Sequence, residues 1–185
     1  MIHHLLRAAI LALAVQCFVG ALGAQAPKEL VWEVDYDAAL AKAKKENRHV
    51  LLCMHKDKEI ACTRMVALYD DADVKAKLAQ FILVPSNLST HTMQKHMVDG
   101  AEKDVCPHFR NVTCVDHVTN EAKIRQNLLK VTTVLVPHHI LIDGDGKTLL
   151  ARVYEMKKTA FLDWLDRARL ATQGVTDATV DPQTK

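Results

Sequence analysis

The chain has 185 residues, which favours one domain of ordinary size, and 49% of them are hydrophobic, which is enough for a packed core. Its 24 basic and 22 acidic residues nearly balance, so nucleic-acid binding is not expected as a main function.

The N-terminal segment has the pattern of an export signal. Arg7 ends a short basic start, the apolar run AAILALAVQCFVGALG follows, and ALGAQA offers small residues for cleavage. We therefore predict a signal peptide over residues 1–26, with a periplasmic or secreted product that has no membrane contact after cleavage. An uncleaved anchor is the alternative. The remaining chain keeps four cysteines, an even number that permits disulfides in an exported protein.

Helical and strand patterns alternate in the first half of the chain. DYDAALAKAKKENR predicts a short amphipathic helix with Asp35 or Asp37 as its cap, and HVLLCMH predicts a buried strand. ACTRMVALY and DDADVKAKLAQ predict two further helices, and FILVP predicts a second buried strand that ends at Pro85.

The second half begins with an irregular insertion over about residues 86–119, for which we predict one helical piece near Met93 to Val98. NEAKIRQNLLK predicts a helix with Asn120 as its cap, and VTTVLVPHHILIDGDGKTLLARVY predicts two strands joined by an Asp-Gly turn. A helix over 158–172 and a flexible tail over 173–185 follow. This alternation predicts an α/β protein with helices on both faces of a central sheet.

Three features of the chain resemble the thioredoxin-like family. HVLLCMHKDKEIACTRM places Cys62 where the family has the second cysteine of its Cys-x-x-Cys motif, and DDADVKAKLAQFILVPSN resembles the helix and strand that follow it. Val136 and Pro137 precede a strand, as the cis-proline of the family does. The resemblance implies a three-layer sandwich over residues 27–172, with a central mixed sheet and the insertion before the cis-proline strand. It also implies that Val136 and Pro137 border a groove for an extended polypeptide or a thiol partner.

The chain departs from the family at the attacking thiol. Glu59 occupies the position of the first cysteine, Lys58 replaces the usual tryptophan, and a carboxylate cannot attack a disulfide. We therefore predict a role in thiol redox or protein-folding homeostasis without ordinary dithiol–disulfide reductase activity, and leave open whether the chain is an enzyme. Cys62, alone or with Cys53 as a partner, is the candidate for an atypical thiol site. A non-catalytic peptide-binding module is an alternative.

The insertion holds the densest group of potential ligands, in the segment CPHFRNVTCVDH. We predict a local disulfide between Cys106 and Cys114 and no cofactor. The alternative is a copper- or zinc-binding protein, whose ligands would be Cys106, His108, Cys114 and His117, because thiolate and imidazole suit both metals.

Overall fold

The structure is a computed structural model that describes residues 29–174. The predicted signal peptide and residues 175–185 of the predicted tail therefore lie outside the described residues. The helices are α1 (Tyr36–Glu46), α2 (Ile60–Leu68), α3 (Ala72–Leu78), α4 (Cys114–Lys123), which a π-helical segment (Ile124–Leu129) continues, and α5 (Lys158–Thr172). The strands are β1 (Val50–His55), β2 (Ile82–Asn87), β3 (Gln94–Val98), β4 (Ala101–Val105), β5 (His138–Ile142) and β6 (Thr148–Val153).

A mixed four-stranded sheet forms the middle layer, in the order β2-β1-β5-β6. Strand β1 runs parallel to β2 and antiparallel to β5, so that Val50 lies beside both Ile82 and Ile142. The predicted central mixed sheet is confirmed.

The two faces of the sheet carry separate apolar cores. Leu51 and Cys53 point to the core that includes side chains of α2, α3 and α5. Leu52 and Met54 point to the other core, which includes side chains of α1 and the π-helical segment. Because side chains of a strand alternate between faces, a strand buried on both sides reads as the continuous apolar run HVLLCM. Helices on both faces confirm the predicted three layers.

One of the two predicted helix caps is confirmed. The side chain of Asp35 accepts a hydrogen bond from the backbone N–H of Ala38 at 2.8 Å, and Asp71 caps α3 in the same manner. The prediction for Asn120 was wrong, because the cap of α4 is Thr113, seven residues earlier, which forms a capping box with Asp116. Asn120 is instead buried within α4, where its side chain accepts from the backbone N–H of Tyr36.

The insertion contains a β-hairpin in place of the predicted helical piece. Strands β3 and β4 are antiparallel, and Gln94 pairs with Val105 near the open end of the hairpin. Asp99 and Gly100 form the turn with φ of 54° and 78°, the left-handed backbone that an Asp-Gly hairpin turn requires. This pairing brings the residues just before β3 close to those just after β4.

Within residues 29–174, no helix is long and apolar enough to cross a bilayer.

Candidate functional site

Four soft donor groups meet where the hairpin joins α4. His91 precedes β3, Cys106 follows β4, and Cys114 and His117 lie about one helical turn apart at the start of α4. One donor atom from each of the four side chains lies within 4.8 Å of all the others. We call these four residues the inner site.

Hydrogen bonding fixes which nitrogen of His91 faces the inner site. Its Nε2 lies 2.8 Å from Oδ1 of Asp57, and since a carboxylate accepts, Nε2 carries the proton. In the neutral ring Nδ1 is then the acceptor, and it lies 3.4 Å from the sulfur atoms of both Cys106 and Cys114. A carboxylate that holds the far nitrogen of an imidazole is the usual outer support of a metal-binding histidine.

A hydrogen bond also orients the ring of His117, but here it is made by Nδ1. Its Nδ1 donates to the backbone carbonyl of Asn87 at 3.1 Å, so that Nε2 is the unprotonated nitrogen. Nε2 of this buried ring has no hydrogen-bond partner among the described residues. A buried acceptor without a partner is costly, and burial also lowers the pKa of His117. The neutral ring thus presents a lone pair suited to a cation.

Two of the donor–donor distances match those of tetrahedral coordination. A tetrahedral zinc ion with bonds of about 2.3 Å to sulfur and about 2.0 Å to nitrogen has sulfur–nitrogen edges of about 3.5 Å. The two edges from Nδ1 of His91 measure 3.4 Å. Burial raises the pKa of Cys106 to about 12, although the backbone N–H groups of His108 and Phe109 donate to its sulfur. A bound cation would supply the charge that stabilises the thiolate.

The structure differs in one residue from the metal-ligand set predicted from sequence. It brings Cys106, Cys114 and His117 together as that alternative requires, but His91 occupies the fourth position. His108 is exposed, and its ring packs edge-on against the ring of His91, with centroids 4.6 Å apart. Cys106 and Cys114 are free thiols, so the predicted disulfide is not confirmed.

The start of α2, where thioredoxin-like proteins carry their two cysteines, lacks the features of a reactive thiol pair. Glu59 is the N-cap residue of α2, and its side chain makes no capping hydrogen bond. Cys62 is a free thiol that is 2% exposed, and its sulfur accepts from the backbone N–H of Lys56 at 3.4 Å. Burial raises the pKa of Cys62, which lowers the thiolate fraction that attack requires.

Cys53, the predicted partner of Cys62, is also a free thiol and belongs to the buried core. Burial raises its pKa to about 12. Next to it, the hydroxyl of Tyr69 bridges Nε2 of His55 and Nε2 of His139, at 2.7 Å from each. The histidines at this end of the sheet therefore belong to a polar network in the core.

The Val136–Pro137 peptide bond is cis, as the resemblance implies. Pro137 is buried and Val136 is half-buried, while the preceding Leu135 is 58% exposed.

Comparisons with solved structures agree with this architecture. A DsbH oxidoreductase superposes with a TM-score of 0.51 at 18% identity, over 80% of this chain and 88% of that one. A thioredoxin from Thermus thermophilus superposes with a TM-score of 0.51 at 17% identity, over 78% and 90% of the two chains. No protein-family model and no curated protein sequence matches the chain. The chain therefore has a thioredoxin-like fold, as predicted.

Sequence reasoning missed two residues of the candidate site, His91 and Asp57. His91 lies 15 residues before Cys106, and only the hairpin closes that separation. The Asp-Gly pair at the tip of the hairpin was the available signal, because it predicts that its two flanks meet. No sequence signal links Asp57 to His91.

Proposed function

We propose that this chain is a zinc-binding protein on a thioredoxin-like fold, and that it does not carry out ordinary dithiol–disulfide exchange. His91, Cys106, Cys114 and His117 would hold one ion. The observation that supports this most strongly is the hydrogen bond on the outer nitrogen of each histidine, because in neutral rings these bonds leave the other nitrogen of each ring as an acceptor near the two thiols.

Zinc fits the inner site better than copper because of charge and geometry. Two thiolates and two neutral imidazoles carry a charge of −2, which Zn²⁺ cancels and Cu⁺ does not. Cu²⁺ also cancels this charge, but it prefers square-planar or tetragonal coordination. A net charge in a buried site is costly, and three of the four side chains here are buried. Four protein ligands in a closed tetrahedral arrangement are typical of structural zinc.

The ion would join the insertion to the body of the domain. His91 and Cys106 bracket the hairpin, and Cys114 and His117 begin α4. Cys106 and Cys114 also pack in the core on the α2 side of the sheet. We therefore expect the metal to fix the position of the hairpin against that core.

We also propose that the protein is exported and that it acts in thiol redox or folding homeostasis. The N-terminal pattern supports a periplasmic or secreted location, and the similar structures bear the names oxidoreductase and thioredoxin. A role in thiol redox or folding homeostasis remains part of the proposal, without the exchange step that Glu59 removes.

The test is the metal content of the reduced protein, measured by native mass spectrometry and elemental analysis. We expect one zinc ion per chain in the wild type and in Cys62→Ser, the matched control outside the inner site. Cys106→Ser and His117→Ala should weaken binding by more than the roughly 10–100-fold typical of outer-shell losses. A protein that binds no zinc, or binds it equally well in all variants, contradicts the proposal. Copper in place of zinc would contradict the choice of metal.

A polypeptide or thiol partner is the second candidate. Two large apolar side chains support it: Ile60 is 67% exposed at the start of α2, and Leu135 is 58% exposed beside the cis bond. Ile60→Asp and Leu135→Asp should then each weaken binding of an unfolded model polypeptide, measured by fluorescence anisotropy. Unchanged binding would remove this candidate.

A further inference from the structure

We propose that Asp57, His91 and His108 form an outer metal-binding subsite, which captures zinc from solvent and passes it to the inner site. This inference rests on the proposed function, since it requires an inner site to load. One donor atom from each of the three side chains lies within 4.8 Å of the other two.

The inner site needs a route of entry because its donors are buried. Cys106, Cys114 and His117 are buried, and the side chain of His91 is only 8% exposed. An ion in bulk water therefore has little direct access to the two thiols. A buried metal site is complete only when the fold also provides a path to it.

The outer subsite lies on such a path. Asp57 and His108 line a cleft of about 250 Å³ at the N-terminal end of α2, which Cys62 also lines. His108 is exposed, and the side chain of Asp57 is 30% exposed, so solvent reaches both. Lys56 and Lys58 also line this cleft, so the Asp57 carboxylate and the His108 imidazole are the cation ligands that the outer subsite offers there.

His91 belongs to both groups of donors. Its Nε2 faces Asp57 and its Nδ1 faces the thiols of Cys106 and Cys114, so one imidazole ring separates the outer from the inner position. Three protein ligands leave a coordination position for water, as in zinc sites that exchange ligands. Two thiolates bind zinc more firmly than one carboxylate does, which favours movement inward.

The transfer balances in charge and protons. The outer ion is bound by the Asp57 carboxylate and by neutral His91 and His108. As it moves inward, its bonds to Asp57, to His108, to Nε2 of His91 and to the bound water would break, and the water would return to solvent. Bonds to the two sulfurs, to Nδ1 of His91 and to His117 would form. Each thiol releases one proton to water. His91 exchanges the coordinating nitrogen, and the ring proton moves from Nδ1 to Nε2 through water, which restores the hydrogen bond to Asp57.

The kinetics of zinc uptake test this inference. The reduced, metal-free protein is mixed with zinc in a stopped-flow instrument, and competition with a chromophoric chelator gives the equilibrium affinity separately. His108→Ala removes an outer ligand and leaves the inner four in place. The matched control is His49→Ala, because His49 precedes β1 at the end of the strand opposite His55.

We expect His108→Ala to bind one zinc ion with unchanged affinity but to take it up about tenfold more slowly, since the local concentration of cation falls. His49→Ala should match the wild type. Equal uptake rates for His108→Ala and the wild type overturn the outer subsite and leave the zinc proposal intact. A loss of affinity in His108→Ala also overturns it, because His108 would then support the inner site. No zinc binding by the wild type removes both proposals.

Discussion

Two regions of this molecule place cysteine beside ionisable side chains, and they differ in what those side chains can do. The N-terminal end of α2 has one buried thiol, Cys62, and its N-cap residue Glu59 is a carboxylate where a second thiol would be needed. The inner site has two thiols and two imidazoles whose lone pairs converge. The comparison teaches that the described thiol and imidazole groups converge in the insertion and not at the junction of Glu59 and Cys62.

The two regions are also connected. Asp57 lies in the loop at the redox position, and its carboxylate accepts from His91 of the inner site and from the side chain of Asn87. Burial raises the pKa of Asp57, but these hydrogen bonds outweigh burial and lower the pKa below its usual value. The loop that holds a thiol pair in the family therefore supports a histidine here.

Restoring the missing thiol breaks the comparison most directly. In Glu59→Cys, the new thiol lies at the N-terminus of α2, where the helix dipole favours a thiolate, and three residues before Cys62. We expect a disulfide to Cys62, seen as a mass loss of about 2 Da, and insulin reduction clearly above the background of the wild type. Lys58→Cys is the matched control and should show neither. Reductase activity in the wild type would contradict our account of the loop.

Removing the metal should destabilise the insertion. A ligand at a hundredfold excess over its Kd stabilises the folded state by about 2.7 kcal/mol, which corresponds to about 5–10 °C in Tm for a chain of this size. We expect a chelator to lower Tm by that amount, in a differential scanning experiment, and to speed proteolysis within residues 91–113. Cys62→Ser should respond in the same way, while Cys114→Ser should show no effect of chelator. A Tm that is insensitive to chelator in the wild type would argue against a structural ion.

Asp57→Asn tests the connection between the two regions. The amide keeps the size of the side chain but loses the charge that orients the His91 ring and increases its basicity, so we expect zinc affinity to fall about 10–100-fold. Isothermal titration against a competing chelator measures this change. Asp70→Asn, on the surface beyond α2, is the control and should bind zinc as the wild type does. An unchanged affinity in Asp57→Asn would show that the carboxylate gives His91 no support.

The core histidines should give the most gradual effect, because the change in stability is spread over several pH units. Burial lowers the pKa of His55 to about 3 and that of His139 well below its usual value, so both stay neutral in the folded protein. The unfolded state binds protons near pH 6.5, so stability is complete above that pH and is lost as the pH falls toward the folded values. Each group should contribute a slope of about 1.4 kcal/mol per pH unit in that window. Urea unfolding of the metal-free protein between pH 7 and 5 measures this slope, and a flat profile would contradict it.

The sheet and most helices could be predicted from sequence because their signals are local. HVLLCM is a continuous apolar run because β1 is buried on both faces, and Asp35 and Asp71 mark helix starts by capping. The insertion could not be predicted in the same way, because the hairpin has mostly exposed strands and thus no apolar periodicity. The inner site depends on that hairpin, so His91 was missed and His108, adjacent in sequence to the other ligands, took its place.

Zinc-edge X-ray absorption on the reduced, zinc-loaded protein tests the central claim most directly, because it reports the ligands of the ion. Our account predicts two sulfur ligands at about 2.3 Å and two imidazole nitrogens at about 2.0–2.1 Å. Cys62→Ser should give the same spectrum. A shell of oxygen and nitrogen alone, or a protein that excludes zinc because a disulfide joins Cys106 to Cys114, would contradict the account.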